Sequence, residues 1–155
     1  MRNVLITFGS SSLAQRVGHQ LQPCYNVIYA TCEPVPSFME HRFSRIPTGS
    51  EASFAHQLLA FCLDHQVDYL LPLGWTEIQS LAEAKQLFEE YGIQVCCPDR
   101  EDLEEVLLIE RPPAQVDICL LLHGEVLLGN SPGKNVLTGL YTFSDSGGQS
   151  ALCVV

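Results

Sequence analysis

Residues Val67 to Asp99, VDYLLPLGWTEIQSLAEAKQLFEEYGIQVCCPD, leave this chain few choices of fold. Val67 to Leu71 is a short apolar run ending at Pro72, the pattern of a strand buried on both faces. Leu81, Ala84, Lys85 and Phe88 recur at helical spacing, and Gly92 stops that helix. Ile93 to Cys96 then reads as a second strand. A strand, a crossover helix and a second strand make a parallel unit of right-handed connection. Sheets built from such units bind ligands outside the carboxyl ends of their strands. The loop Leu73-Gly74-Trp75-Thr76-Glu77 stands at such an end, so the segment predicts a fold class and a place for chemistry.

The chain before it repeats the pattern. Asn3 to Phe8 reads as a strand, Gly9-Ser10-Ser11-Ser12 as a turn, and Leu13 to Leu21 as a helix closed by Pro23. Leu13, Ala14, Val17 and Leu21 share one face of that helix. Asn26 to Ala30 is the next strand. Arg42 to Pro47 is expected as a short edge strand because of its charges and proline. Ser50 is expected to cap a further helix, with Ser53 at its third position and Phe54, Leu58, Phe61 and Cys62 carrying it to about His65. Asp99 is expected to cap an acidic helix from about Arg100 to Ile109, whose early carboxylates form a solvated face.

The pattern changes after Glu110. Pro112-Pro113 ends the helical run, and the apolar runs Val116–Leu122 and Glu125–Leu128 flank His123-Gly124 as a β-hairpin. Val136 to Phe143 and Ala151 to Val155 read as further strands. The expectation is a three-layer α/β domain with a mainly parallel sheet over 1–110, and a C-terminal β-hairpin extension over 111–155 packed on it. The apolar end Leu152 to Val155 suits a strand paired within the protein or across a dimer, so a homo-oligomer is expected.

Composition excludes several functions. A net charge of −10 argues against nucleic acid, whose phosphates demand basic patches, and against an anionic membrane surface. No apolar run approaches the ~20 residues of a membrane span, and no signal-peptide pattern opens the chain. The seven cysteines contain no C-x-x-C pair, and Cys96-Cys97 are adjacent. They read as small buried hydrophobes of a cytoplasmic protein. The five histidines show no metal-ligand spacing. A serine-hydrolase elbow and a P-loop are both missing.

Three places remain as candidate sites. Gly9, Ser10, Ser11 and Ser12 open a helix, where hydroxyls and amides can hold a phosphate or carboxylate; the plain alternative is a tight turn with a serine cap. Ser11 stands where a dinucleotide fingerprint wants its middle glycine, which weighs against a nicotinamide-binding oxidoreductase. Glu33 follows the second strand, where such folds place a ribose-binding acid. Gly74, Trp75, Thr76 and Glu77 form the third. Gly74 permits backbone approach, Trp75 can stack on a flat ligand, Thr76 can cap the helix, and Glu77 faces the crevice. Here too there is a plain alternative: Trp75 packs and Glu77 answers the helix dipole.

The stretch VDYLLPLGWTEIQSLAEAKQLFEEYGIQVCCPDREDLEEV resembles the Rossmann-like N-terminal domain of ATP-grasp enzymes of the carbamoyl-phosphate-synthase large-subunit-like group. The likeness rests on Leu71-Pro72, Glu77, Gly92-Ile93-Gln94-Val95, Pro98 and the acidic segment after Asp99, and extends to Met1–Leu21. In that family an ATP-binding lysine, a glycine-rich lid and magnesium-binding acids follow. This chain instead has Glu110-Arg111-Pro112-Pro113, and the remainder is too short for two subdomains that clamp ATP. Val116 to Val126 is itself similar to a strand-turn-strand found late in those enzymes. The resemblance therefore implies a catalytically incomplete module that binds a carboxylate, amino acid, nucleotide or partner chain. It also implies a second possibility, one component of a split ligase in which a partner supplies ATP and magnesium.

Overall fold

Apolar residues alternate along the strands because each strand feeds two separate layers. In the computed structural model, which describes residues 1–155, β1 (Asn3–Ile6) sends Leu5 to one layer and Val4 and Ile6 to the other. It is followed by α1 (Ser12–Leu21), β2 (Asn26–Thr31), β3 (Ser44–Arg45), α2 (Phe54–Asp64), β4 (Tyr69–Leu71), α3 (Trp75–Glu90) and β5 (Gln94–Val95). The five strands pair in parallel in the order β3-β2-β1-β4-β5. Leu13, Ala14, Val17 and Leu21 of α1 cover one face. Phe54, Leu58 and Cys62 of α2, with Ile78, Leu81 and Phe88 of α3, cover the other. The result is a three-layer, Rossmann-like α/β sheet. Successive strands are added on one side of β1 as far as β3 and on its other side from β4 onward, and this reversal of winding leaves a crevice at the carboxyl ends of β1 and β4.

A second sheet follows, built from β6 (Leu108–Glu110), β7 (Cys119–Leu122), β8 (Glu125–Leu128), β9 (Gly139–Phe143) and β10 (Ser150–Val154), in the order β6-β10-β9-β7-β8. β7 and β8 turn through His123 and Gly124, whose φ angles of 50° and 82° are those of a two-residue hairpin turn of primed type. The segment is more than the expected hairpin, because β6, β9 and β10 complete a sheet of five strands. Both hydrophobic layers run on into it. Cys119, Leu121, Leu152 and Val154 join the α2/α3 layer, and Ile118, Leu120 and Cys153 join the α1 layer. Arg16 of α1 donates to the carbonyl of Pro113 at 3.2 Å and to that of Val116, and the Val155 amide donates to Leu73 O at 3.0 Å.

Two local expectations are corrected. Only a short 3₁₀ helix, Arg100–Asp102, stands where a helix to Ile109 was expected. Leu108 to Glu110 instead forms β6, in register with Leu152 to Val154 of β10. Leu103, Val106 and Leu107 do stand at helical spacing, but pairing with the distant strand gives Leu108 to Glu110 a ladder that the local pattern does not announce. Likewise Ser50 does not cap α2. Phe54 N donates to Glu51 O at 3.1 Å, so a turn occupies 51–54 and the helix starts at Phe54, with Ser53 in the cap position. The apolar end of the chain lies in β10, which is paired on both sides by β6 and β9, so the edge that motivated a homo-oligomer is closed within the chain. No helix is long and apolar enough to cross a membrane.

Candidate functional site

At the carboxyl ends of β1, β2 and β4 lies a cleft of about 470 Å³. Phe8 and Ser11 come from the β1 turn, Cys32 and Glu33 from the end of β2, and Gly74 to Glu77 from the start of α3. The 48–50 loop and Arg111 close the remaining sides. The volume falls in the range of small-molecule sites.

Glu77 is the centre of this cleft. Its residue is 1% exposed. Thr7 Oγ1 accepts the Leu73 N–H at 2.9 Å, so its own hydrogen is directed to Glu77 Oε1, 2.5 Å away. The Gly74 N–H also points to Oε1, at a longer 3.4 Å. Oε2 is buried and has no partner. Burial pushes the Glu77 carboxyl up to about 7, against the opposing pull of the Thr7 and Gly74 hydrogen bonds. A buried carboxylate oxygen with nothing to accept from is costly. Glu77 is also one of the residues that line the cleft.

The sequence candidates divide into two groups. Ser11, Glu33, Gly74, Trp75, Thr76 and Glu77 converge on the cleft, whereas Gly9, Ser10 and Ser12 do not line it. Gly9 is buried against β2: its amide donates to Ala30 O at 2.8 Å, and an added Cβ would stand 2.7 Å from Tyr29 Cβ. Ser11 is the α1 cap, its hydroxyl accepting the Ala14 N–H at 3.2 Å. Gly74 caps α3, so Thr76 lies exposed inside the first turn and is not the cap. The absence of a side chain at Gly74 serves Phe8, whose ring edge would sit 2.3 Å from an added Cβ. Trp75 is half-buried, leaning on the α2/α3 layer while also walling the cleft.

Sequence reasoning missed Thr7, Phe8, Cys32, Thr48, Ser50 and Arg111. Thr7 carried a faint signal, a hydroxyl at the end of a strand that is otherwise apolar from Val4. Arg111 carried another, a lone cation beside a proline pair; it holds a left-handed φ of 48° and forms no ion pair. Cys32 is a poor nucleophile, since burial and the neighbouring Glu77 both push its thiol up.

A second cavity of about 360 Å³ lies between the end of α3 and the second sheet. Its Lys85 ammonium is already engaged, donating to Cys97 O at 2.6 Å and to Asp99 Oδ1 at 2.9 Å. That arrangement is structural.

Comparison with known proteins finds no family model that matches the chain and no curated protein similar to it.

Proposed function

We propose that this chain acts as a small-ligand-binding or partner-binding module, a pre-ATP-grasp-like domain that is catalytically incomplete by itself. The observation that carries the reading is the buried, partnerless Oε2 of Glu77, a residue that lines the switch-point cleft. The strand order β3-β2-β1-β4-β5 supports the ATP-grasp-like descent, as does the β7–β8 strand-turn-strand after the α/β part. The lining supports binding over chemistry, because its side chains join one thiol of raised pKa, two carboxylates and one arginine with no histidine among them. Seven free cysteines support a cytoplasmic setting.

The test is a thermal-shift panel at fixed protein concentration with Mg-ATP, ADP, NADH, small carboxylates and amino acids. A ligand at 100 times its dissociation constant adds roughly 2.7 kcal/mol to stability. The expected result is a shift with a small organic molecule that Glu77→Gln weakens. A shift with Mg-ATP alone would point to the split-ligase reading, one with NADH alone to an oxidoreductase, and no shift at all would remove the module reading.

A further inference from the structure

The chemistry around Glu77 narrows the ligand class, on the reading that the cleft is a binding site. Oε1 already receives two donors, so only Oε2 is left to complete. An anionic group placed there would face both Glu77 and, at the rim, Glu33. A divalent metal ion is disfavoured too, since no group of three or more His, Cys, Asp or Glu side chains converges anywhere in the chain. An organic ammonium satisfies the position: it donates hydrogen bonds and neutralises a carboxylate that has been removed from water. The one guanidinium on the cleft, Arg111, is unpaired by any carboxylate of the protein. It arrives from the second sheet side, its amide held by Val154 O at 2.8 Å. Planar guanidinium is suited to an incoming carboxylate. Phe8 and Trp75 add aromatic side chains to the same lining.

We infer that the cleft takes a small zwitterion, an amino-bearing carboxylic acid whose ammonium completes Glu77 Oε2 and whose carboxylate meets Arg111. The site thus needs both sheets: the first provides the acid and the second provides the base. This makes the second sheet part of the recognition surface.

The experiment uses the full chain and isothermal titration at pH 7.5 with three matched sets of probes. L-leucine, L-phenylalanine and L-glutamate are compared with 4-methylvalerate, 3-phenylpropionate and glutarate, which lack the amine, and with isopentylamine and phenethylamine, which lack the α-carboxylate. With 4-aminobutyrate as the decarboxylated partner of glutamate, at least one amino acid is expected to bind tenfold or more tighter than both of its truncated partners. Glu77→Gln is expected to abolish the advantage of the amine, and Arg111→Gln the advantage of the carboxylate. Deaminated acids binding as well as their amino parents would overturn the inference while leaving a binding module. So would decarboxylated amines binding as well as their amino-acid parents. Failure of every probe class would sink the inference and the module reading together. If Glu77→Gln fails to fold, the wild-type series and Arg111→Gln still decide.

Discussion

Replacing Glu77 by glutamine isolates the energetic cost of the open carboxylate. The native carboxyl keeps its proton to about pH 7, against 4.5 for a free one, because burial disfavours the charge. Between those values the folded chain binds more protons than the unfolded chain. Stability is therefore fully present below pH 4.5 and is lost as pH rises through 7, at about 1.4 kcal/mol per unit and roughly 3 kcal/mol across the window. With Glu77 at 1% exposure, solvent screening removes little of this. Glutamine does not titrate, so the wild type minus variant difference cancels the other carboxylates and reports Glu77 alone. For a chain of this size the difference in Tm should fall by roughly 6–12 °C between pH 4.5 and 8, the wild type losing ground. Scanning calorimetry of both proteins at half-unit steps measures it. A pH-independent difference, or one that favours the wild type as pH rises, would refute the reasoning, because it would mean that the native carboxylate is ionised and already partnered.

Thr7→Val removes the hydroxyl that both accepts from Leu73 and donates to Glu77. Chemical denaturation should show a loss of about 1–3 kcal/mol. The pH midpoint described above should also move upward, since that hydrogen bond holds the Glu77 pKa down. Gly74→Ala drives a Cβ into the Phe8 ring, so it should cost about 1–3 kcal/mol by overpacking, measurable as a lower denaturant midpoint with unchanged slope. Thiol titration of the native protein should modify exposed Cys24 first and Cys32 more slowly. The buried Cys62, Cys96, Cys97, Cys119 and Cys153 should react only on unfolding, and prompt reaction at all seven would contradict this packing.

The elements that were legible in the sequence are those whose signal is local. Leu13, Val17 and Leu21 repeat with the helical period, and Gly92, at φ 80°, takes the left-handed position that ends α3. The loop at Gly74 to Glu77 could be placed because a strand-to-helix junction in a parallel sheet always opens at the carboxyl end. Inside that loop the reasons shifted. Gly74 was expected to admit a ligand, yet it admits Phe8, a residue of another strand's turn.

The failures share one cause. Leu108 to Glu110 is a strand only because β10 lies beside it, and nothing within a helical window of Arg100 to Ile109 announces that partner. Ser50 looks like a cap until the 48–50 loop is seen lying over α3, with an added Cβ on Gly49 only 2.7 Å from Glu77 N. By itself the sequence determined the parallel α/β sheet, the face that each helix buries and the end of the sheet where a site belongs. Those follow from period and turn chemistry, which act over a few residues. Tertiary structure alone decided that Thr7 would occupy one oxygen of Glu77 and leave the other open, and that Arg111 would cross from the second sheet to the same cleft. Such pairings join residues far apart in the chain, and they exist only once two hydrophobic layers have drawn both sheets together.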